Sequence, residues 1–273
     1  MGNDGSKSRG AGGSGGGPNR PPSSGVAVKN PFKSGPSSSV VTQHLENAKK
    51  SRVLQLKGTG LKELPERLSE VGPMLRNLDV SGNRLKELPI SIGAFIELKQ
   101  LHLEGNLLEF LPDEIGCLRK LEVLNVAQNK LRSLPNSLVG CSSLRIVNVS
   151  QNQLTTLPVV LCHLRDLDIV NVSQNRITEL PDEISHLMAS ELIANQNQIT
   201  TLNSSNLVKC ARLKILRVEE NCLPREQFDT AILQDSQIAL IAYTGNLFAA
   251  KDFQGLPGYE EYQHRYTATQ RKM

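Results

Sequence analysis

The chain opens Met1-Gly2-Asn3-Asp4-Gly5-Ser6, which fits the N-myristoylation pattern M-G-x-x-x-[ST], with Lys7 directly behind it. Once Met1 is removed, acyl transfer needs a free amine and no side chain on the first residue. Only glycine meets both demands, so Gly2 is the candidate lipidation residue. A single myristoyl chain binds a bilayer marginally and reversibly, and a second signal normally accompanies it. Lys7, Arg9, Arg20, Lys29 and Lys33 could supply that signal on an anionic leaflet, at about 1 kcal/mol each when near the surface. Of these, only Lys7 and Arg9 lie close to the anchor, so the expected attachment is reversible.

Other reactive side chains form no constellation. His44, His102, His163, His186 and His264 share no local motif with a nucleophile, and no catalytic residue is assigned. The five cysteines, Cys117, Cys141, Cys162, Cys210 and Cys222, make no C-x-x-C pair and do not cluster with histidine at zinc-ligand spacing. They are expected as reduced, buried thiols, with no disulfide, metal or cofactor. Gly10, Gly12 and Gly15 formally spell G-x-G-x-x-G. That fingerprint needs a strand before it and a helix after it, and the surrounding Gly/Ser/Pro sequence offers neither.

Composition separates two regions. Residues 1–39 are rich in Gly, Ser and Pro and hold five basic residues against Asp4 alone. They are expected to be a disordered basic tail, because they cannot bury enough apolar surface to offset chain entropy. Beyond them 26 basic residues meet 26 acidic ones. A charge-balanced surface of this kind argues against nucleic acid as a partner. No apolar run near the start resembles a signal peptide, and the longest apolar run, Ile238 to Tyr243, has six residues. The sequons at Asn148, Asn171 and Asn203 are therefore expected to stay unmodified.

From Val53 a unit repeats: Leu-x-x-Leu-x-Val-x-x-Asn-x-Leu-x-x-Leu-Pro-x-x-Ile. One copy is Leu75, Leu78, Val80, Asn83, Leu85, Leu88, Pro89 and Ile92, and the next starts at Leu98. The asparagine recurs at Asn83, Asn106, Asn129, Asn152, Asn175, Asn197, Asn221 and Asn246, at spacings of 22 to 25 residues. With a degenerate first unit carrying Thr59 in the asparagine slot, about nine units are expected. This is the leucine-rich-repeat signature at its usual length. It predicts an α/β solenoid, a curved horseshoe with a parallel concave sheet over residues 53–250. The asparagines are expected to turn inward as a structural ladder, bonding backbone groups at the turn after each strand.

Both ends need caps. Val41, Leu45 and Ala48 fall at helical spacing and predict a capping helix within residues 40–52. Tyr259, Tyr262 and Tyr266 do the same for a cap over residues 251–273.

The x positions of the strand segment face out of the concave side. Three successive units place Val123, Ile146 and Ile169 in one row and Asn125, Asn148 and Asn171 in the row beside it. Two readings stay open: β-branched residues simply favour strands and stacked asparagines support one another, or an apolar stripe rimmed with polar groups receives a protein partner. Ser150 is expected to face solvent.

The sequence also resembles the animal leucine-rich repeat-containing protein 57 family across roughly residues 40–273. The resemblance rests on Gln55-Leu56-Lys57, the stretch Arg212 to Leu223, Asp235-Ser236-Gln237-Ile238, Asn246-Leu247-Phe248, the ending Gly258-Tyr259 with Tyr266-Thr267-Ala268-Thr269, and the Met1-Gly2-Asn3 start. It implies a small, lipid-anchored, non-enzymatic cytosolic repeat protein. The longer Gly/Ser tail is the departure from that pattern. Together these readings point to a monomeric interaction scaffold or adaptor on the cytoplasmic face of a membrane, with a cytosolic pool and a protein partner. The alternative is a soluble regulatory subunit of a phosphatase or small-GTPase signalling complex.

Overall fold

In Leu-x-x-Leu-x-Leu the last two leucines stand two residues apart. Both therefore point to one side of an extended backbone, and the residues flanking them point to the other. The structure, a computed structural model, describes residues 37–270, and there this segment forms nine three-residue strands. They are β1 (Val53–Gln55), β2 (Asn77–Asp79), β3 (Gln100–His102), β4 (Val123–Asn125), β5 (Ile146–Asn148), β6 (Ile169–Asn171), β7 (Glu191–Ile193), β8 (Ile215–Arg217) and β9 (Leu240–Ala242). All pair in parallel, in chain order, in a single sheet. Each residue meets its equivalent in the next unit, as Leu124 meets Val147. The middle residue of every strand is buried. No unit covers its own leucines, so the core is one continuous stack from Val41 to Tyr262. The tail expected over residues 1–39, Gly2 included, lies outside the described residues as far as residue 36.

After each strand the chain turns sharply and leaves carbonyls facing the interior. Asn152 shows how they are satisfied. Its Nδ2 donates to the carbonyls of Val149 (3.0 Å) and Ser150 (3.1 Å) in its own unit, and to Val126 (3.0 Å) in the unit before. Its Oδ1 accepts the N–H of Leu131 at 2.9 Å. Asn83, Asn106, Asn129, Asn175, Asn197, Asn221 and Asn246 bridge neighbouring units in the same way. Seven of the eight are buried and Asn246, in the last unit, is half-buried. In the first unit the Thr59 hydroxyl donates to the Leu56 carbonyl at 2.8 Å.

The return segments are mostly single 3₁₀ turns that open on the proline of Leu-Pro, such as Ile90–Ala94, Asp113–Cys117 and Asn136–Gly140. Pro89, Pro112 and Pro135 each hold φ at −69°, the value their rings impose. These turns stack closely. A Cβ added at Gly116 would lie 2.2 Å from the Ser137 carbonyl oxygen, so only glycine allows that approach.

Helices close both ends. Helix α1 (Ser38–Ser51) begins two residues before the expected position 40 and buries Val41, Leu45 and Ala48 against the first unit. Toward the far end a single-turn helix α2 (Ser204–Leu207) replaces one 3₁₀ turn, and a π-helical turn (Ala231–Asp235) follows the short 3₁₀ turn Arg225–Gln227. Helices α3 (Ala250–Gln254) and α4 (Tyr259–Gln270) follow. Phe253 of α3 is buried and stacks on Tyr243 at 4.0 Å between ring centroids. The buried Tyr262 accepts the N–H of Ile241 on its hydroxyl at 3.1 Å, which occupies the open edge of β9. Arg265 donates to the carbonyls of Ile238 (3.1 Å), Gln234 (3.0 Å) and Leu233 (2.7 Å). Tyr259 and Tyr266 pack half-buried on the same core.

The cysteines divide, where all five were expected inside. Cys141, Cys162 and Cys210 are buried, and desolvation pushes the first two thiols up to about 12 and the third to about 11. Cys117 and Cys222 are exposed. Cys222 stands directly after Asn221, in a variable position of the edge loop, and Cys117 on the outer side of its 3₁₀ turn. Repeat spacing locates a residue along the unit without fixing which side of an irregular turn it takes.

Asn152→Ala removes three donated bonds and one accepted bond from buried carbonyls and an amide. The expected loss is about 1–3 kcal/mol of stability, because the backbone groups left behind are buried and unpaired. Urea unfolding of the variant beside the exposed substitution Glu109→Ala measures it. Equal midpoints for the two would refute the structural role of the ladder.

Candidate functional site

Residues that flank the buried middle of each strand face away from the core in two rows. From β3 to β9 the first row is Gln100, Val123, Ile146, Ile169, Glu191, Ile215 and Leu240. The second is His102, Asn125, Asn148, Asn171, Ile193, Arg217 and Ala242. Val123, Ile146 and Ile169 are thus direct cross-strand neighbours. Val123 and Ile169 are half-buried, while Ile146 in the middle is 37% exposed and the most open of the three. Neighbouring parallel strands lie about 4.8 Å apart, so the three side chains form a stripe about 10 Å long.

The asparagines beside the stripe are only half committed to the fold. Their Oδ1 atoms accept the backbone N–H two residues on: Ala127 (3.1 Å), Ser150 (3.1 Å) and Ser173 (3.0 Å). Asp79 does the same for Ser81 at 2.9 Å, so a carboxylate serves this turn as well as an amide. The amide nitrogen of Asn125 donates to Glu104 at 3.0 Å. Those of Asn148 and Asn171 have no acceptor among the described residues and are presented outward. Stacking between the asparagines does not hold this row in place: each oxygen serves its own turn.

Ser150 does not face solvent as expected. It is buried, and its Oγ donates to Asn148 Oδ1 at 2.8 Å. The sheet alternation that would point it outward ends where the turn begins. The equivalent Ser173 Oγ is buried without a partner.

A further column went unrecognised in the sequence. Gln128, Gln151, Gln174, Gln196 and Glu220, each directly before a ladder asparagine, hold φ between 53° and 56°. Gly58, Gly82, Gly105 and Gly245 take the same place in the other described units, with φ between 66° and 77°. Glycine adopts this left-handed region freely, whereas an L side chain does so at about 1–2 kcal/mol. Gln174 Nε2 donates to Gln196 Oε1, and Gln196 Nε2 donates to Glu220 Oε2 at 2.8 Å. The signal was legible: Gly-Asn in some units and Gln-Asn in others, at one repeat position, marks a backbone that favours glycine.

Charge frames this face. No ionisable side chain occupies the outward strand positions of β4, β5 and β6 or the two residues after each strand's second buried position. Toward the C-terminal end, Arg217 Nε meets Glu191 Oε1 at 2.7 Å. Glu219 accepts from Asn195 Nδ2 (2.9 Å) and Thr244 Oγ1 (2.8 Å). On the opposite, convex side the His163 and His186 rings lie 6.0 Å apart. Among the described residues no group of three or more His, Cys, Asp or Glu is placed to hold a metal ion.

A leucine-rich-repeat family model matches residues 73–131, 96–154 and 119–177. The chain is similar to a leucine-rich-repeat protein of Leptospira interrogans, with 30% identity and a TM-score of 0.64 over 73% of this chain and 50% of that one. It is similar to internalin F of Listeria monocytogenes, with 21% identity and a TM-score of 0.67 over 80% and 61% of the two chains. It is also similar to a plant peptide hormone receptor solved in complex with RGF2, with 25% identity and a TM-score of 0.59 over 74% and 33%. The chain therefore spans half the length of the Leptospira protein and a third of the receptor.

The glutamine column yields a stability test. Gln151→Gly exchanges left-handed strain for chain entropy and is expected to shift stability by no more than about 0.5 kcal/mol. Gln151→Val forces a β-branched residue into the same region and is expected to cost about 2 kcal/mol more. Thermal melts of the two variants compare them, and equal melting temperatures would contradict the backbone assignment.

Proposed function

We propose that the chain, whose fold is a leucine-rich-repeat solenoid, serves as a non-enzymatic interaction scaffold whose concave sheet face docks a protein partner. We also propose that myristate on Gly2 tethers it reversibly to the cytoplasmic face of a membrane, with a cytosolic pool. One observation carries the docking reading. Val123, Ile146 and Ile169 form a registered apolar stripe that no other described residue covers completely, beside two rows of outward amides. An apolar stripe of this kind gains by removal from water, and its polar rim supplies orientation. The anchor reading is supported by the M-G-x-x-x-[ST] start, by the five tail cations and by the resemblance to the leucine-rich repeat-containing protein 57 family. The similar plant peptide hormone receptor, solved in complex with RGF2, supports the docking reading.

The two readings are tested separately. For the anchor, intact-mass analysis from eukaryotic cells is expected to show myristate on Gly2, and Gly2→Ala is expected to move the protein from the membrane to the soluble fraction. An unmodified or acetylated terminus would refute it, and a wild-type protein already soluble would favour a regulatory subunit of a phosphatase or small-GTPase complex.

For docking, Ile146→Glu places a carboxylate at the centre of the stripe. Water reaches it in the free protein, so folding is expected to be unaffected, whereas a covered complex would desolvate the charge. Proximity labelling is expected to lose its wild-type partners with Ile146→Glu and to keep them with the convex-side change Glu179→Arg. Unchanged labelling from Ile146→Glu at matched expression and melting temperature would refute concave docking.

A further inference from the structure

The concave face also limits what its partner can be, granted that partners dock there. From β4 to β6 the apolar stripe, the second-row asparagines, the small residues after them and the glutamine column carry no charge, and the charged Glu122, Arg145 and Asp168 stand along the edge just before the first row. A charged side chain entering between the two rows at β5 and β6 would lose its hydration and meet only amides. The polar groups on offer are amides. Asn148 and Asn171 present free N–H donors, and the side chains of Gln128 and Gln151 make no hydrogen bond among the described residues. Amides and hydroxyls pair with the carbonyls and N–H groups of an extended backbone, while the stripe takes its uncharged side chains. A glycan would want an aromatic platform, and these rows contain none between β4 and β8.

The two ends of the window differ in charge: near β3 stands a single carboxylate, Glu104, which takes the Asn125 amide at 3.0 Å, and at the other end stands a pair. Beyond β7, whose second-row residue Ile193 and following Asn195 and Gln196 are also neutral, stand Glu219 and Glu220. Both carboxylates accept hydrogen bonds from neutral groups only, and neither makes an ion pair among the described residues.

We infer that the face binds an extended partner segment with an uncharged core of about four residues and a Lys or Arg at the end that reaches Glu219 and Glu220. The core length follows from the span. Two strand spacings of about 4.8 Å equal three rises of about 3.3 Å in an extended peptide.

The probe is a random 12-residue peptide display library selected on the full chain. Affinities of the enriched peptides are then measured by fluorescence anisotropy. The expected consensus is an uncharged core flanked on one side by Lys or Arg. Asn148→Asp is the sharpest variant: as Asp79 shows, a carboxylate keeps the turn, but it removes the outward donor and puts a charge in the window. It is expected to weaken the selected peptides by about tenfold or more, the equivalent of one lost desolvated hydrogen bond. Gln151→Gly is expected to weaken them several-fold with an unchanged melting temperature, because Gly105 holds the same place two units away. Glu219→Gln with Glu220→Gln is expected to abolish the preference for a basic end while keeping the core preference.

Failure to enrich any peptide, a consensus with charged cores, or affinity indifferent to Asn148→Asp would each overturn the inference. If Ile146→Glu still removed the labelled partners in those cases, concave docking would stand with a folded surface as the partner. If Ile146→Glu had no effect either, both readings would fall together.

Discussion

A chain that reverses direction every two dozen residues while keeping its inside dry must find partners for backbone groups at each reversal. The ladder asparagine supplies them. Its amide reaches two carbonyls of its own turn and one of the preceding unit, and its oxygen takes an N–H from that same preceding unit. One side chain thereby both closes a turn and ties it to its neighbour. Leucine burial drives the units together, but it is non-directional and would tolerate sliding. The bonds of each asparagine, three at Asn106 and Asn246 and at least four at the others, admit a single register, and every strand pair obeys it. The strand rows on the outer face line up because of this inner bookkeeping.

Fixing the register on the inside leaves the outside free to vary. Unit-to-unit stacking uses the middle residue of each strand, the asparagine and the leucines of the return segment. The outward positions can then be apolar in one unit, amide in the next and charged in a third with little effect on stacking. The ends lack a neighbour and show the cost of that. At β9 the Tyr262 hydroxyl occupies the next strand's place, and the Arg265 guanidinium takes three carbonyls left by the irregular last unit. The aromatic residues, scarce elsewhere, gather there: Phe228, Tyr243, Phe248 and Phe253 pack into one cluster.

What the sequence made legible follows the same division. The strands and the inward asparagines rest on residues repeated eight or nine times, and a period of that length leaves one arrangement; the apolar side of α1 rests on the helical spacing of Val41, Leu45 and Ala48. The stripe and its neighbouring amides could be placed as rows because alternation along an extended strand is rigid. Ser150 and Cys117 show where that reasoning stops. Both lie beyond the strand, one entering the turn and one on the outer 3₁₀ segment, where side-chain direction depends on local dihedrals. The free half of Asn148 was likewise hidden, since only coordinates separate the oxygen that closes a turn from the nitrogen that does not. The amine of Gly2 carries its meaning in sequence alone and lies outside the described residues.

The left-handed column ties surface to backbone more closely than the rows do. Four units of this chain place glycine at the position, so the turn itself asks for no side chain. In five consecutive units a long amide or carboxylate stands there against a conformational preference of about 1–2 kcal/mol each. At the C-terminal end the hydrogen-bonded sequence Gln174, Gln196, Glu220 offsets part of that strain. Gln128 and Gln151 have no such compensation among the described residues, yet they flank the most exposed point of the stripe, Ile146. Strain retained where packing does not require it concentrates at functional sites, because selection keeps what a binding event repays. The uncompensated strain of Gln128 and Gln151, the free donors of Asn148 and Asn171 and the uncharged rows overlap at β5, and on the docking reading that overlap puts the working centre of the face at Ile146.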